Sequence, residues 1–254
     1  MTDVIERAFS GVPRPQAAPP PLNPEQPPCP LCGASAIAGY AHASWSDLAH
    51  LCECDCERPA AYLSGLRGLW QSKNALPHYL ATLPTRYHGY TAATIRRTDE
   101  NAPVMEALKA GLTGNLYLFG PAGVGKTHLA VAGARRLAER GKTTRFWGMA
   151  ALFAELRKAS TGDTPRPELG HWDVLVLDDI DKIRPTPFVY ETLYALIEDR
   201  WANEKVTIFT AQHDPNGAAV VLTPDGSELA ADPLASRMAS GRVFRVTGED
   251  GRAG

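Results

Sequence analysis

Three groups of residues in this chain have the types and spacing to do chemistry. The first is Gly120-Pro121-Ala122-Gly123-Val124-Gly125-Lys126-Thr127, which fits the phosphate-loop pattern G-x-x-x-x-G-K-[ST] in full. Glycines let backbone curl around an anion, and the N–H groups of a following helix N-terminus face it together with the helix dipole. Lys126 would reach the outer phosphates, and the Thr127 hydroxyl would hold Mg²⁺. The second group is VLVLDDID, residues 174–181, where an apolar run ends in Asp178 and Asp179. A carboxylate at a strand end opposite a phosphate loop can hold Mg²⁺, the role given to Asp178. The next acid, Asp179, can polarise an attacking water as a general base. The third group is five cysteines, all within residues 29–56. The first two groups describe chemistry on a nucleoside triphosphate; the third describes metal binding.

Each group needs elements to position it. Leu116 to Phe119 is an apolar run leading into the glycine loop, and an amphipathic segment follows Lys126. Strand, loop and helix in that order are the context the phosphate-loop motif requires. Without that context, a plain glycine turn with a solvated lysine would account for the same residues. Strands are predicted at 115–119, 143–147, 173–178, 205–210 and 242–247. Helices are predicted at 102–112, 125–140, 149–159, 187–203 and 232–239. Alternation of this kind argues for a parallel sheet covered on both faces, an α/β fold. The continuous apolar run before Asp178 suits a central parallel strand. Ligands in such sheets sit beyond the carboxyl ends of the strands. The segment TIFTAQH, 207–213, then brings Thr210 and Gln212 to the same edge as Asp178, where a polar side chain could orient the water or sense the outer phosphate.

The cysteines cluster, whereas a disulfide framework would spread through the fold. Cys29-Pro-Leu-Cys32-Gly is a metal knuckle, and Cys52-Glu-Cys54-Asp-Cys56 offers the other pair. Four thiolates suit tetrahedral Zn²⁺. The set Cys29, Cys32, Cys54 and Cys56 is favoured, with Cys52 as a substitute and His42 and His50 as weaker candidates. Unligated reduced thiols are the alternative. So short a module would draw its folding free energy from the metal.

The flanking sequence sets the organisation. Proline dominates residues 12–30, which suits an extended arm acting as a spacer more than a recognition peptide. The expected divisions are an arm at 1–28, a zinc-binding module at 29–58, a partly helical linker at 59–84 and an ATPase domain at 85–254. The 254 residues carry a net charge of −2, so there is no global basic signature of a nucleic-acid binder. No apolar run approaches the roughly 20 residues that span a bilayer. The start, MTDVIERAFSGVPRP, lacks a basic segment followed by an apolar core, so a cytoplasmic protein without membrane contact is expected.

The order GPAGVGKTHLAVAGARRLAERG, WDVLVLDDID, ETLYALIEDRWANEKVTIFTAQ and DPLASRMASGRVFRVTGEDGR resembles the AAA+ helicase loaders of the DnaC/DnaI type and the related IstB transposition ATPases. The resemblance covers about residues 84–252. It implies a P-loop AAA+ core with ATP and Mg²⁺ as cofactors; with the chain stopping near Arg252, no C-terminal helical lid is expected. It implies that Gly120 to Thr127 is Walker A, extended to His128 by the GKTHLA continuation. Asp178 and Asp179 become Walker B, with Asp179 where most members have Glu, which suggests slow hydrolysis. Gln212 falls where the family usually has a sensor Asn. Arg237, in LASRM, matches an arginine finger that acts on the nucleotide of a neighbouring subunit, which implies an ATP-dependent homo-oligomer. The family reading is a loader that places a hexameric replicative helicase on single-stranded DNA, with the helicase bound through residues 1–83. Arg157 and Lys158 are the favoured DNA contacts among a basic set that includes Arg135, Arg136, Arg140, Lys142 and Arg145. An IstB-like ATPase assisting a transposase is the alternative, and a nucleotide-switch adaptor with little turnover is a third reading.

Overall fold

The computed structural model describes residues 74–162, 167 and 169–250. The arm and all five cysteines lie outside the described residues. Those described belong to one compact unit, Gln71–Gly254.

Five parallel strands form one sheet: β1 (Leu116–Phe119), β2 (Thr144–Gly148), β3 (Val174–Asp178), β4 (Val206–Ala211) and β5 (Arg242–Arg245), in the order β2-β3-β4-β1-β5. All four pairings are parallel, with Leu116 opposite both Ile208 and Arg242, and Val174 opposite both Thr144 and Val206. Among the described residues seven α-helices accompany them: α1 (74–82), α2 (Ala102–Ala110), α3 (Lys126–Glu139), α4 (Met149–Ser160), α5 (Pro187–Ala202), α6 (Pro215–Leu222) and α7 (Glu228–Met238). This is the α/β architecture expected, with a sheet covered on both faces.

The strand period of two explains the two cores. Leu116 and Leu118 of β1, Val174 and Val176 of β3 and Ile208 of β4 face a layer built from α1, α2 and α3, with Tyr79, Val104 and Leu129 buried among them. Tyr117, Leu175, Leu177 and Phe209 face the other way, onto α4, α5, α6 and α7, where Phe153, Leu193, Leu222 and Leu234 are buried. Because both faces are covered, every residue of β3 is buried.

Local signals fix where the helices begin. Thr186 accepts from the Val189 N–H ahead of Pro187, and Asp214 accepts from the Gly217 N–H ahead of Pro215. Ser227 accepts from the Ala230 N–H and starts α7 four residues earlier than the 232–239 prediction. Helix α6 was not predicted at all, although Asp214-Pro215 is a legible start signal; Gly217 and a run of small apolar residues hide its periodicity.

One carboxylate clips three strand entries together. Asp173 accepts from the Thr143 N–H at 2.9 Å and the Thr143 hydroxyl at 2.8 Å, and from Lys205 Nζ at 3.3 Å. Its own carbonyl takes the Val206 N–H at 3.0 Å. The entries to β2, β3 and β4 are therefore held level, which places the exits of β3 and β4 side by side. Among the described residues no helix is long and apolar enough to cross a membrane.

Candidate nucleotide site at the carboxyl edge of the sheet

The glycine loop leaves β1, an interior strand with β4 on one side and the edge strand β5 on the other. Gly120, Gly123 and Gly125 all have positive φ, at 146°, 83° and 91°. Two of these positions are also crowded by the segment after β5. A Cβ on Gly120 would lie 2.0 Å from the Val246 carbonyl oxygen, and one on Gly123 would lie 1.9 Å from an Asp250 carboxylate oxygen. Val246 donates its N–H to the Phe119 carbonyl at 2.7 Å, which brings that segment alongside the loop. No side chain caps α3, which opens on Gly125, so its first amide donors and its positive dipole end face the loop.

Lys126 is 7% exposed and folds back over the loop, donating to the carbonyls of Gly120 at 2.8 Å and Pro121 at 2.5 Å. Burial pushes its ammonium below the ordinary lysine range, while the carboxylates of Asp179, Asp181 and Asp178 pull the other way. A buried cation whose hydrogen bonds go only to carbonyls gains from an anion brought to the loop.

Thr127, Asp178 and Thr210 meet at one oxygen. The Thr127 hydroxyl donates to Asp178 Oδ1 at 2.8 Å, and the Thr210 hydroxyl donates to the same atom at 2.7 Å. Asp178 is buried, and desolvation raises its carboxyl above the usual range despite the two hydroxyls. The set fits Mg²⁺: hard oxygen donors, one of them a buried carboxylate whose hydrogen bonds come from neutral hydroxyls.

Asp179 begins the turn after β3 in the left-handed region, with φ 57°. Its N–H donates to the Thr210 hydroxyl at 2.8 Å, and its side chain is exposed at the sheet edge. Non-glycine residues in this region are uncommon, and aspartate is among those that tolerate it. One threonine thus holds the carboxylate of Asp178 and the backbone of Asp179 at once.

Gln212 lies one residue beyond β4, and its backbone N–H donates to Asp181 Oδ2 at 2.8 Å. The same oxygen accepts from the His213 N–H at 3.0 Å and lies 2.7 Å from His213 Nδ1. Asp181 Oδ1 is buried without a hydrogen-bond partner among the described residues. Sequence reasoning stopped at the second acid of VLVLDDID and missed this third one. Its position three residues after Asp178, at the end of a buried strand, was the available signal.

His128 and Arg237 face away from this cluster. The His128 ring stacks on Tyr90, with centroids 4.2 Å apart, and its Nε2 is 2.9 Å from the Thr94 hydroxyl, so it fixes the segment ahead of α2 against α3. Arg237 lies at the end of α7, where its carbonyl accepts from Asn115 just ahead of β1, the end of the strand opposite the loop. Its guanidinium donates to Glu198 at 2.7 Å and sits 4.1 Å above the Trp201 ring. It does not reach its own chain's phosphate loop. The Arg200-Trp201 pair divides between inside and outside. Arg200 is fully buried and donates to Thr207, Leu169, Trp172 and Val206, while Trp201 is 44% exposed and carries Arg237.

Of the favoured DNA contacts, Lys158 is paired with Glu155 at 2.8 Å, and Arg157 is exposed at the end of α4. Among the described residues no group of His, Cys, Asp and Glu has the makings of a metal cluster, and the predicted zinc ligands are not among those residues.

Residues 110–224 match the family model of IstB-like ATP binding proteins. Over 105 residues the chain is 32% identical to an ATP-binding protein in an insertion sequence of Mycobacterium tuberculosis, a match that covers 40% of this chain and 42% of that protein. The chain thus spans about two-fifths of the length of that curated relative. Among solved structures, the DnaC helicase loader superposes with a TM-score of 0.55 at 20% identity, over 65% of this chain and 100% of that one. DnaI superposes with a TM-score of 0.53 at 21% identity, over 66% of this chain and 93% of that one. At these identities the likeness is one of fold, and the fold is the P-loop AAA+ core.

Proposed function

We propose that the IstB-like ATP-binding domain in this chain is a slow ATPase whose nucleotide state controls the placing of a partner protein on DNA. The observation that carries the ATPase reading is the convergence of Thr127, Asp178 and Thr210 on one carboxylate oxygen beside a folded-back Lys126. On binding ATP, Lys126 exchanges the carbonyls of Gly120 and Pro121 for the outer phosphates. Thr127 and Asp178 would hold Mg²⁺, which would neutralise phosphate charge. Asp179, held at the strand exit by Thr210, takes the proton of the attacking water, and Gln212 orients that water. Arg237 leaves Glu198 and Trp201 and reaches the nucleotide of the next subunit, where it stabilises developing charge.

The partner on the first reading is a hexameric replicative helicase, delivered to single-stranded DNA. The fold supports this, because the described core is coextensive with the DnaC helicase loader. Residues 1–83 would bind the helicase. Within them residues 29–58 would form a zinc module on Cys29, Cys32, Cys54 and Cys56, with Cys52 as a substitute, after an arm at 1–28 and ahead of a linker at 59–84. The ATPase domain would then run over 85–254. A transposase is the second reading, favoured by the insertion-sequence relative and the matched family.

Affinity capture with the full chain separates the two. Retention of a replicative helicase that is lost with Cys29→Ser/Cys32→Ser, from protein carrying about one equivalent of zinc, is the expected outcome. Capture of a transposase and no helicase contradicts the loader reading, and purified protein with reduced cysteines and no zinc contradicts the module.

A further inference from the structure

Outside the nucleotide site, unanswered positive charge gathers at the C-terminal end of α3 and just past it. Arg135, Arg136 and Arg140 line one side of an open cavity of about 430 Å³, and the segment 91–93 lines the other. Arg135 is partly committed: it bonds Glu139 at 3.2 Å and the His88 carbonyl at 3.3 Å. Arg136 and Arg140 have no ion pair or hydrogen bond through their side chains among the described residues. The carboxylate of Glu139 and the partial charge of about −0.5 at the helix C-terminus offset part of the three cations, leaving the groove at about +1.5. That surplus sits in a chain whose net charge is −2. The floor is small: Ala92, Ala93 and Ala132 leave room for a ligand to lie against backbone.

We propose that this groove binds the phosphate backbone of nucleic acid. The inference rests on the DNA-handling reading above and adds a surface to it. Guanidinium forks match phosphate oxygens bidentately, and the groove presents two that are not already matched. Among the described residues no aromatic ring lines it, so they offer bases no stacking platform, and the contacts are to phosphate rather than to base. The sequence favoured Arg157 and Lys158 on α4 within a basic set that also held Arg135, Arg136 and Arg140. Intramolecular pairing of Lys158 with Glu155 moves the surplus charge to α3 instead.

The test is fluorescence anisotropy with a labelled single strand and the same sequence as duplex, across a salt series, using the full chain with ATP. Arg136→Glu/Arg140→Glu is expected to weaken the wild-type binding mode by at least about 10-fold at moderate salt. The slope of log affinity against log salt should fall by about 1.4 for a single strand or about 1.8 for duplex, two phosphate contacts' worth. Arg157→Glu/Lys158→Glu carries the same charge change and should bind as wild type. Unchanged melting temperatures establish that each variant is folded. Equal loss in both variants, or no loss in the α3 variant, overturns the groove while leaving the DNA-handling reading intact. Wild type that binds neither DNA sinks that reading itself. Loss of an acidic protein partner with DNA binding unaffected assigns the groove to protein and contradicts the proposal.

Discussion

Asp178 and Asp181 divide the work at the edge of the sheet. Asp178 gathers two hydroxyls onto one oxygen, and Asp181 gathers the amides of Gln212 and His213. Asp181 touches neither the loop nor a reacting atom; if Gln212 orients the attacking water as proposed, Asp181 is a positioning residue acting through the backbone that carries it. A buried oxygen left unpartnered costs about 1–3 kcal/mol, and such groups concentrate where a site needs them. Asp181→Ala should lower kcat by roughly 10- to 100-fold, because a displacement of about an ångström costs that much. KM for ATP should change little, and Asp181→Asn, which keeps the acceptor, should recover part of the loss. A raised KM with unchanged kcat would mean that Asp181 serves binding alone. Which residues could meet was legible in the motifs themselves. The bonds from Gln212 and His213 to Asp181 depend on how β3 and β4 pair, which no local pattern encodes, so the sequence offered only the place of Asp181 three residues after Asp178.

At the scale of elements, five strands and most helices could be read because period two and period 3.6 are local properties. The strand order could not, since pairing partners lie far apart in sequence, and α6 was lost to its glycine and small residues. The site depends on strands exiting level with one another, and the clip at their entries sets that. Although burial works against it, the N–H and hydroxyl of Thr143 and the ammonium of Lys205 hold the Asp173 carboxyl below its ordinary value of 3.8. An acid with a depressed folded pKa contributes stability above its unfolded pKa and loses it as pH falls through the folded one. Asp173→Asn should therefore cost about 1–2 kcal/mol near neutrality, with the gap from wild type closing as pH drops below 3.8. Urea titrations across that range measure it. A gap that stays constant with pH would mean that the carboxylate charge plays no part in the clip.

For the whole molecule, the decisive feature is the distance between Arg237 and its own phosphate loop, at opposite ends of β1. A guanidinium so placed serves catalysis only if a second copy brings its loop alongside, in a head-to-tail assembly. On the proposed reading the nucleotide site is shared: Lys126, Asp178 and Asp179 from one subunit, Arg237 from the next. The measurement that bears on this most directly is steady-state ATP turnover by Lys126→Ala, by Arg237→Ala and by their equimolar mixture, each against wild type. Each variant alone should fall by about 100-fold or more. The mixture should recover roughly a quarter of wild-type turnover, the share of interfaces that pair an intact loop with an intact arginine. Wild type turning over no faster than Lys126→Ala, or a mixture no more active than its parts, would contradict the shared ATP site.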